Sequence, residues 1–153
     1  MSLKNLTKKE LEEKFEMFIF NMDDCLEQFI EKAEEKEVIL DYSISSLKLL
    51  ENYLSENKTT VDDDDYNDAA SYLGEVIRKN YNGQWICNLD KENNSLYYGF
   101  PVITKHVNYD ILYSPFHVIK AFLLRHKENL FTTSIESQLN PQKIDLSDLL
   151  NED

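Results

Sequence analysis

The sequence predicts an α+β fold of three N-terminal helices, a small antiparallel β-sheet and one or two C-terminal helices. Three observations carry that prediction. Apolar residues recur every three or four positions through residues 8–81, the period changes to two after Gly83, and the helical period returns after Ser114-Pro115. With 153 residues, 42% of them hydrophobic and 12% aromatic, the chain has the material for one packed core. Residues 1–140 are read as a single domain and residues 141–153 as a frayed acidic tail.

Thr7 followed by Glu10 is a capping-box pattern, and Leu11, Phe15, Phe18, Met22, Leu26, Phe29 and Ala33 then recur at helical spacing. With Ile19, Cys25 and Ile30 they form one stripe of the width a helix needs to lie on a globular core. Ser43 or Ser45 caps a second helix with Ile44, Leu47, Leu50 and Leu54 inward, ending by Asn57. A third runs from the acids Asp62 to Asp65 through Tyr66, Ala69, Ala70, Leu73, Val76, Ile77 and Tyr81. Arg78 and Lys79 lie in its last turn, the charge order the helix dipole favours. Asn82-Gly83 reads as a glycine stop.

Trp85, Cys87 and Leu89 then alternate with polar or outward residues, and Leu96, Tyr98, Phe100 and Val102 alternate again, so residues 84–103 read as a β-hairpin turning at Lys91 to Asn94. Val107, Tyr109 and Ile111 offer a third strand. Ser114-Pro115 opens a helix with Phe116, Ile119, Phe122 and Leu123 inward, and a last short helix is expected from Thr133, with Glu136 completing a capping box.

The charge removes whole classes of function. Asp plus Glu number 29 and Lys plus Arg 16, a formal net charge of -13. Such a chain repels phosphates, so neither nucleic acid nor an anionic membrane surface is expected as a partner. No run of about 18 apolar residues is present to span a bilayer. The Lys- and Glu-rich start lacks the apolar stretch of a secretory signal, so a cytoplasmic location is expected. Cys25 and Cys87 follow no metal or redox spacing and read as reduced thiols. Three scattered glycines rule out a phosphate-cradling loop, and no cofactor or metal is expected. The acidity is uneven: residues 81–140 carry five acids and five bases, whereas residues 1–80 carry twenty acids against ten bases.

One residue on the first helix is unexplained by its core stripe. Phe20 falls about 180° from Leu11 at roughly 100° per residue, in the middle of the polar face. Its neighbours at helical spacing are Glu16, Met17, Asp23 and Asp24, and Glu13, Glu27 and Glu31 extend the face into an acidic ridge. A large aromatic ringed by charge is the composition of an interface hot spot, in which the ring supplies area and the rim supplies steering. The alternatives are packing of Phe20 and Met17 against another element of this chain, or a homodimer through the heptad-like spacing of the same helix.

A rival reading is a small ligand-binding domain or enzyme with a pocket between the third helix and the hairpin, lined by Tyr72, Glu75, Trp85, Tyr98 and His117. No catalytic residue can be paired from sequence. Glu75 is also placed to pair with Lys79 four residues on, at the surface. Gly74, inside a helix, requires a close neighbour such as another helix or the hairpin.

The stretch Tyr72-Leu73-Gly74-Glu75-Val76-Ile77-Arg78 continuing to Asn82-Gly83-Gln84-Trp85, preceded by Ser46-Leu47 through Tyr53-Leu54, resembles a pattern in small uncharacterised bacterial proteins. Some of these are similar to immunity proteins of polymorphic toxin systems. The resemblance spans roughly residues 40–125 and implies a helix followed by a Trp-bearing strand, with no catalytic residues. The resulting expectation is a non-enzymatic protein that binds a basic protein partner through an acidic helical face.

Overall fold

A computed structural model describes residues 5–92, 95–107 and 111–139 of the chain. Among the described residues are five α-helices and a two-stranded antiparallel sheet, an α+β architecture. The expected acidic tail lies outside the described residues. No described helix is long and apolar enough to cross a membrane.

Helix α1 spans Lys8–Glu35 and opens with the expected capping box. The Glu10 amide donates to the Thr7 hydroxyl at 3.1 Å, and the Thr7 amide donates to the Glu10 carboxylate at 2.9 Å. Leu11, Met22, Leu26, Phe29 and Ala33 are buried, with Phe15, Phe18 and Ile30 half-buried beside them. Ile19 departs from the expected stripe: it lies at the stripe's edge and is exposed.

Helix α2 spans Ser46–Glu56. The Ser45 side chain makes no capping bond; Ser43 takes that role, its hydroxyl accepting from the Ser46 amide at 3.2 Å. Helix α3, Asp64–Tyr81, is the centre of the molecule. Its residues Ala69 to Ile77 are buried without a break, which only an element packed on several sides allows. Helix α1 covers one side, and both strands and a later helix cover others. The small side chains of Ala69, Ala70, Ser71 and Gly74 permit that close approach. At its end Asn82, not Gly83, adopts the left-handed conformation, with φ of 57°. Gly83 answers to space instead: a Cβ there would lie 2.6 Å from Ile103 Cγ2.

Strands β1 (Gln84–Cys87) and β2 (Pro101–Thr104) pair with Trp85 opposite Ile103. The hairpin is shorter than the alternation predicts. Leu96 and Tyr98 do not join the second strand: Ser95–Tyr97 form a 3-10 turn, and Gly99, at φ of 83°, returns the chain to the sheet. The expected third strand does not form at Val107 or Ile111; further along the chain an isolated bridge joins Ile103 and Tyr113, with N···O distances of 2.8 and 2.9 Å. Of the expected strand's residues, Tyr109 lies outside the described set.

Helix α4 runs Pro115–Arg125 with Phe116, Ile119, Phe122 and Leu123 buried, as expected. Helix α5, Leu130–Leu139, begins three residues before Thr133. Its start is fixed from a distance, because the Glu51 carboxylate of α2 accepts from the amides of Asn129 (2.9 Å) and Phe131 (3.2 Å). Thr133 therefore sits inside the helix rather than capping it.

Candidate functional site

The outer face of α1 is built by the helix period alone. The stripe from Leu11 to Ala33 turns inward, so the opposite residues must face water. Phe20 is 80% exposed and Met17 57% exposed, the former the largest fraction among the exposed large hydrophobics. Neither is covered by the second helix. Glu13, Glu16, Asp23, Asp24 and Glu27 are exposed around them. Among the described residues none of these five carboxylates forms an ion pair, whereas Lys32, Lys48 and Arg78 are each held by a carboxylate elsewhere. Arg78 acts on Asp23 at longer range and Lys14 lies beside Met17, but the carboxylates stay in excess and give a local negative potential that reaches about 8–10 Å into solution at physiological salt.

Beside this face lies a groove of about 410 Å³ between α1, α3, the start of β2 and the start of α4. Phe15, Phe18, Met22, Phe100 and Phe116 give it apolar walls, and Met17 belongs to both groove and ridge. The aromatic walls brace one another, with ring centroids 5.6 Å apart for Phe18 and Phe116 and 6.1 Å for Phe100 and Phe116. Cys25 also lines the groove. Burial and the nearby Asp68, Asp24 and Asp64 push its thiol up from its ordinary range, the protonated and unreactive direction.

The five residues proposed to share a pocket between the third helix and the hairpin are not gathered around one cavity. The Tyr72 hydroxyl faces away toward α2, accepting from the Tyr42 amide at 2.8 Å and lying 2.6 Å from the Ser46 hydroxyl. The buried Glu75 carboxylate does not pair with Lys79 in solvent. It accepts from Arg78 Nε at 2.6 Å and Nη2 at 3.0 Å, and from the Trp85 indole N–H at 3.0 Å. Burial alone would raise its pKa; the guanidinium and the indole outweigh it, and the net shift is downward. Tyr98 is buried under the Lys91 ammonium, 4.8 Å from its ring. His117 is half-buried against Phe100 and Tyr97 and bonded to the Ser114 hydroxyl at 2.6 Å. Burial, with Lys120 nearby, pushes its pKa down. Of the five, only Glu75 and Trp85 meet, and the contact is structural. None of the five lines the groove.

Groove residues Phe15, Phe18 and Met22 were readable only as core. Their spacing places them on the buried stripe but does not say which flank of it stays uncovered. The Asp62 to Asp65 run is partly spent: Asp63 accepts from the Thr60 amide at 2.8 Å and Asp65 from Lys32 at 2.7 Å. Among the described residues no three His, Cys, Asp or Glu side chains are placed to hold a metal ion.

Asp68, on α3 near the Cys25 thiol, carries a pH signature. Burial and the neighbouring Asp65 raise its pKa to about 6 against the partial relief of Lys32. A carboxyl raised on folding holds its proton longer in the native state. It therefore stabilises at low pH, and that contribution is lost between the unfolded value of 3.8 and about 6. Asp68→Asn should raise the thermal midpoint relative to the parent more at pH 7.5 than at pH 4, as read by melting at the two values. An equal change at both would contradict the assignment.

The chain has no match among protein-family models, curated proteins or solved structures.

Proposed function

We propose that this chain is a non-enzymatic protein-binding protein that holds a basic protein partner on the outer face of α1, in the manner of an immunity or inhibitor protein. The observation that carries the reading is Phe20, 80% exposed at the centre of carboxylates that form no ion pair among the described residues. Leaving an aromatic ring in water forgoes about 1.5–3 kcal/mol of burial, which a partner recovers by covering it. The carboxylates supply steering: opposite charge on the partner speeds encounter, and the effect falls with salt. The resemblance read in residues 40–125 does not include α1, so the reading of this face rests on Phe20 and its carboxylates. The reading takes the cytoplasm as the place of action, where the free Cys25 and Cys87 stay reduced.

The test is co-expression with the products of the flanking genes, followed by kinetics on the basic protein that co-purifies. Glu16→Lys with Asp24→Lys should slow association about tenfold or more at low salt and flatten its salt dependence. Association that is unchanged by the double reversal would refute an interface on this face.

A further inference from the structure

Ridge and groove share Met17, and Phe20 follows it by three residues on the same helix, about 4.5 Å along the axis. They form one continuous surface: an acidic, convex edge running into an apolar, concave wall. The groove volume of about 410 Å³ falls within the range of about 300–1,000 Å³ that encloses a compact ligand, and is ample for one large side chain. Its apolar walls are three phenylalanines from two helices with Phe100 and the flexible thioether of Met22, surfaces suited to an aromatic ring, while Lys14, Asn21, Asn67 and Ser71 add polar groups to the lining.

Charge decides among occupants. A second copy would bring its own ridge and a net charge of -13 against this one. The chain's residues 141–153, four acids and one base, face the same repulsion. A basic segment gains from the ridge, whose five carboxylates outnumber the one groove-lining cation, Lys14, and its aromatic side chain gains from the apolar walls.

Resting on the proposed reading of the α1 face, we infer that the groove is the anchor pocket of that interface. One aromatic side chain of the basic partner enters between Phe15, Phe18, Phe100 and Phe116, while lysines or arginines flanking it lie along Glu13, Glu16 and Asp24. Interfaces commonly concentrate their energy in one such desolvated ring surrounded by a charged rim. The ridge then sets the encounter rate and the groove sets the lifetime.

The experiment uses the full chain and a fluorescein-labelled nonapeptide with four lysines on each side of a single tryptophan, alongside the same peptide with alanine at its centre. Fluorescence anisotropy at 50 mM salt should give about tenfold tighter binding for the tryptophan peptide, equivalent to about 1.4 kcal/mol. Asn21→Trp, at an exposed α1 position on the groove wall, should erase that tenfold advantage and leave the alanine peptide unaffected. Equal affinity of the two peptides, with both weakened by Glu16→Lys/Asp24→Lys, would overturn the anchor pocket and leave the ridge reading standing. Binding indifferent to that charge reversal would instead overturn the ridge reading. If Leu149→Asp/Leu150→Asp tightens the tryptophan peptide, the chain's own tail is the occupant and the inference fails. It fails equally if sedimentation shows a dimer that Asn21→Trp dissociates.

Discussion

Gly74→Ala should lower the urea midpoint of unfolding sharply, by an amount equivalent to about 2 kcal/mol or more, although alanine is the better helix former. In an open helix the substitution would gain about 1 kcal/mol. Here an added Cβ would lie 2.1 Å from Trp85 Cζ2 and 2.2 Å from Cη2, far inside the 3.5–4.0 Å at which carbon atoms rest. The indole cannot withdraw cheaply. Its N–H is held at 3.0 Å by Glu75, the residue after Gly74, and the Phe18 ring packs edge-on at 5.2 Å. Strand β1 fixes its backbone opposite Ile103. Trp85→Phe removes the two clashing atoms, so in that background Gly74→Ala should cost little. Strong non-additivity in the double-mutant cycle is the diagnostic result. A Gly74→Ala variant as stable as its parent would show that the indole does not occupy this position.

Glu51→Ala should destabilise by about 2 kcal/mol, since a buried donor left without a partner costs about 1–3 kcal/mol and the Phe131 amide is buried, whereas the Asn129 amide can turn to water. The Glu51 side chain is 3% exposed and its two oxygens accept separately from the amides of Asn129 and Phe131. Truncation removes both acceptors at once and loosens the junction between α2 and α5. Glu51→Gln should recover only part of the loss, because its single acceptor can serve one amide and its NH₂ would face the other. Amide exchange should quicken across Leu130–Leu139 in both variants before it changes in α3. Exchange that rises evenly over the whole chain would contradict a local capping role.

These two sites show where sequence reading stops. The period of α1, its capping box and the outward position of Phe20 follow from spacing within one helix, and all three are legible. So is the need for a close neighbour at Gly74. Glu51 and Glu75 are not, because their roles depend on chain that arrives from elsewhere. The i, i+4 rule pairs Glu75 with Lys79 on the assumption of an exposed helix, whereas Trp85 buries that face and Arg78 supplies the cation. Lys79 lies instead over the Tyr42 ring, at 4.9 Å. The alternation of Leu96, Tyr98 and Phe100 suggested a longer strand, but the positive φ of Gly99 and the 3-10 turn before it end the pairing early. The groove was illegible for a related reason. Phe15, Phe18, Phe100 and Phe116 are ordinary core positions along their own elements, and only the packing of α1, α3 and α4 leaves a space between them.

Phe20 contributes nothing to the fold at 80% exposure, so Phe20→Ala should leave the thermal midpoint within about 2 °C of its parent, as surface substitutions usually do within about 0.5 kcal/mol. The same variant should bind the co-purified basic partner at least about 30-fold more weakly, the loss expected of a hot-spot aromatic worth about 2 kcal/mol. Midpoint and affinity measured on one preparation give the most direct test. An unchanged midpoint with lost affinity is the predicted result; retained affinity, or a variant that fails to fold, would contradict the account.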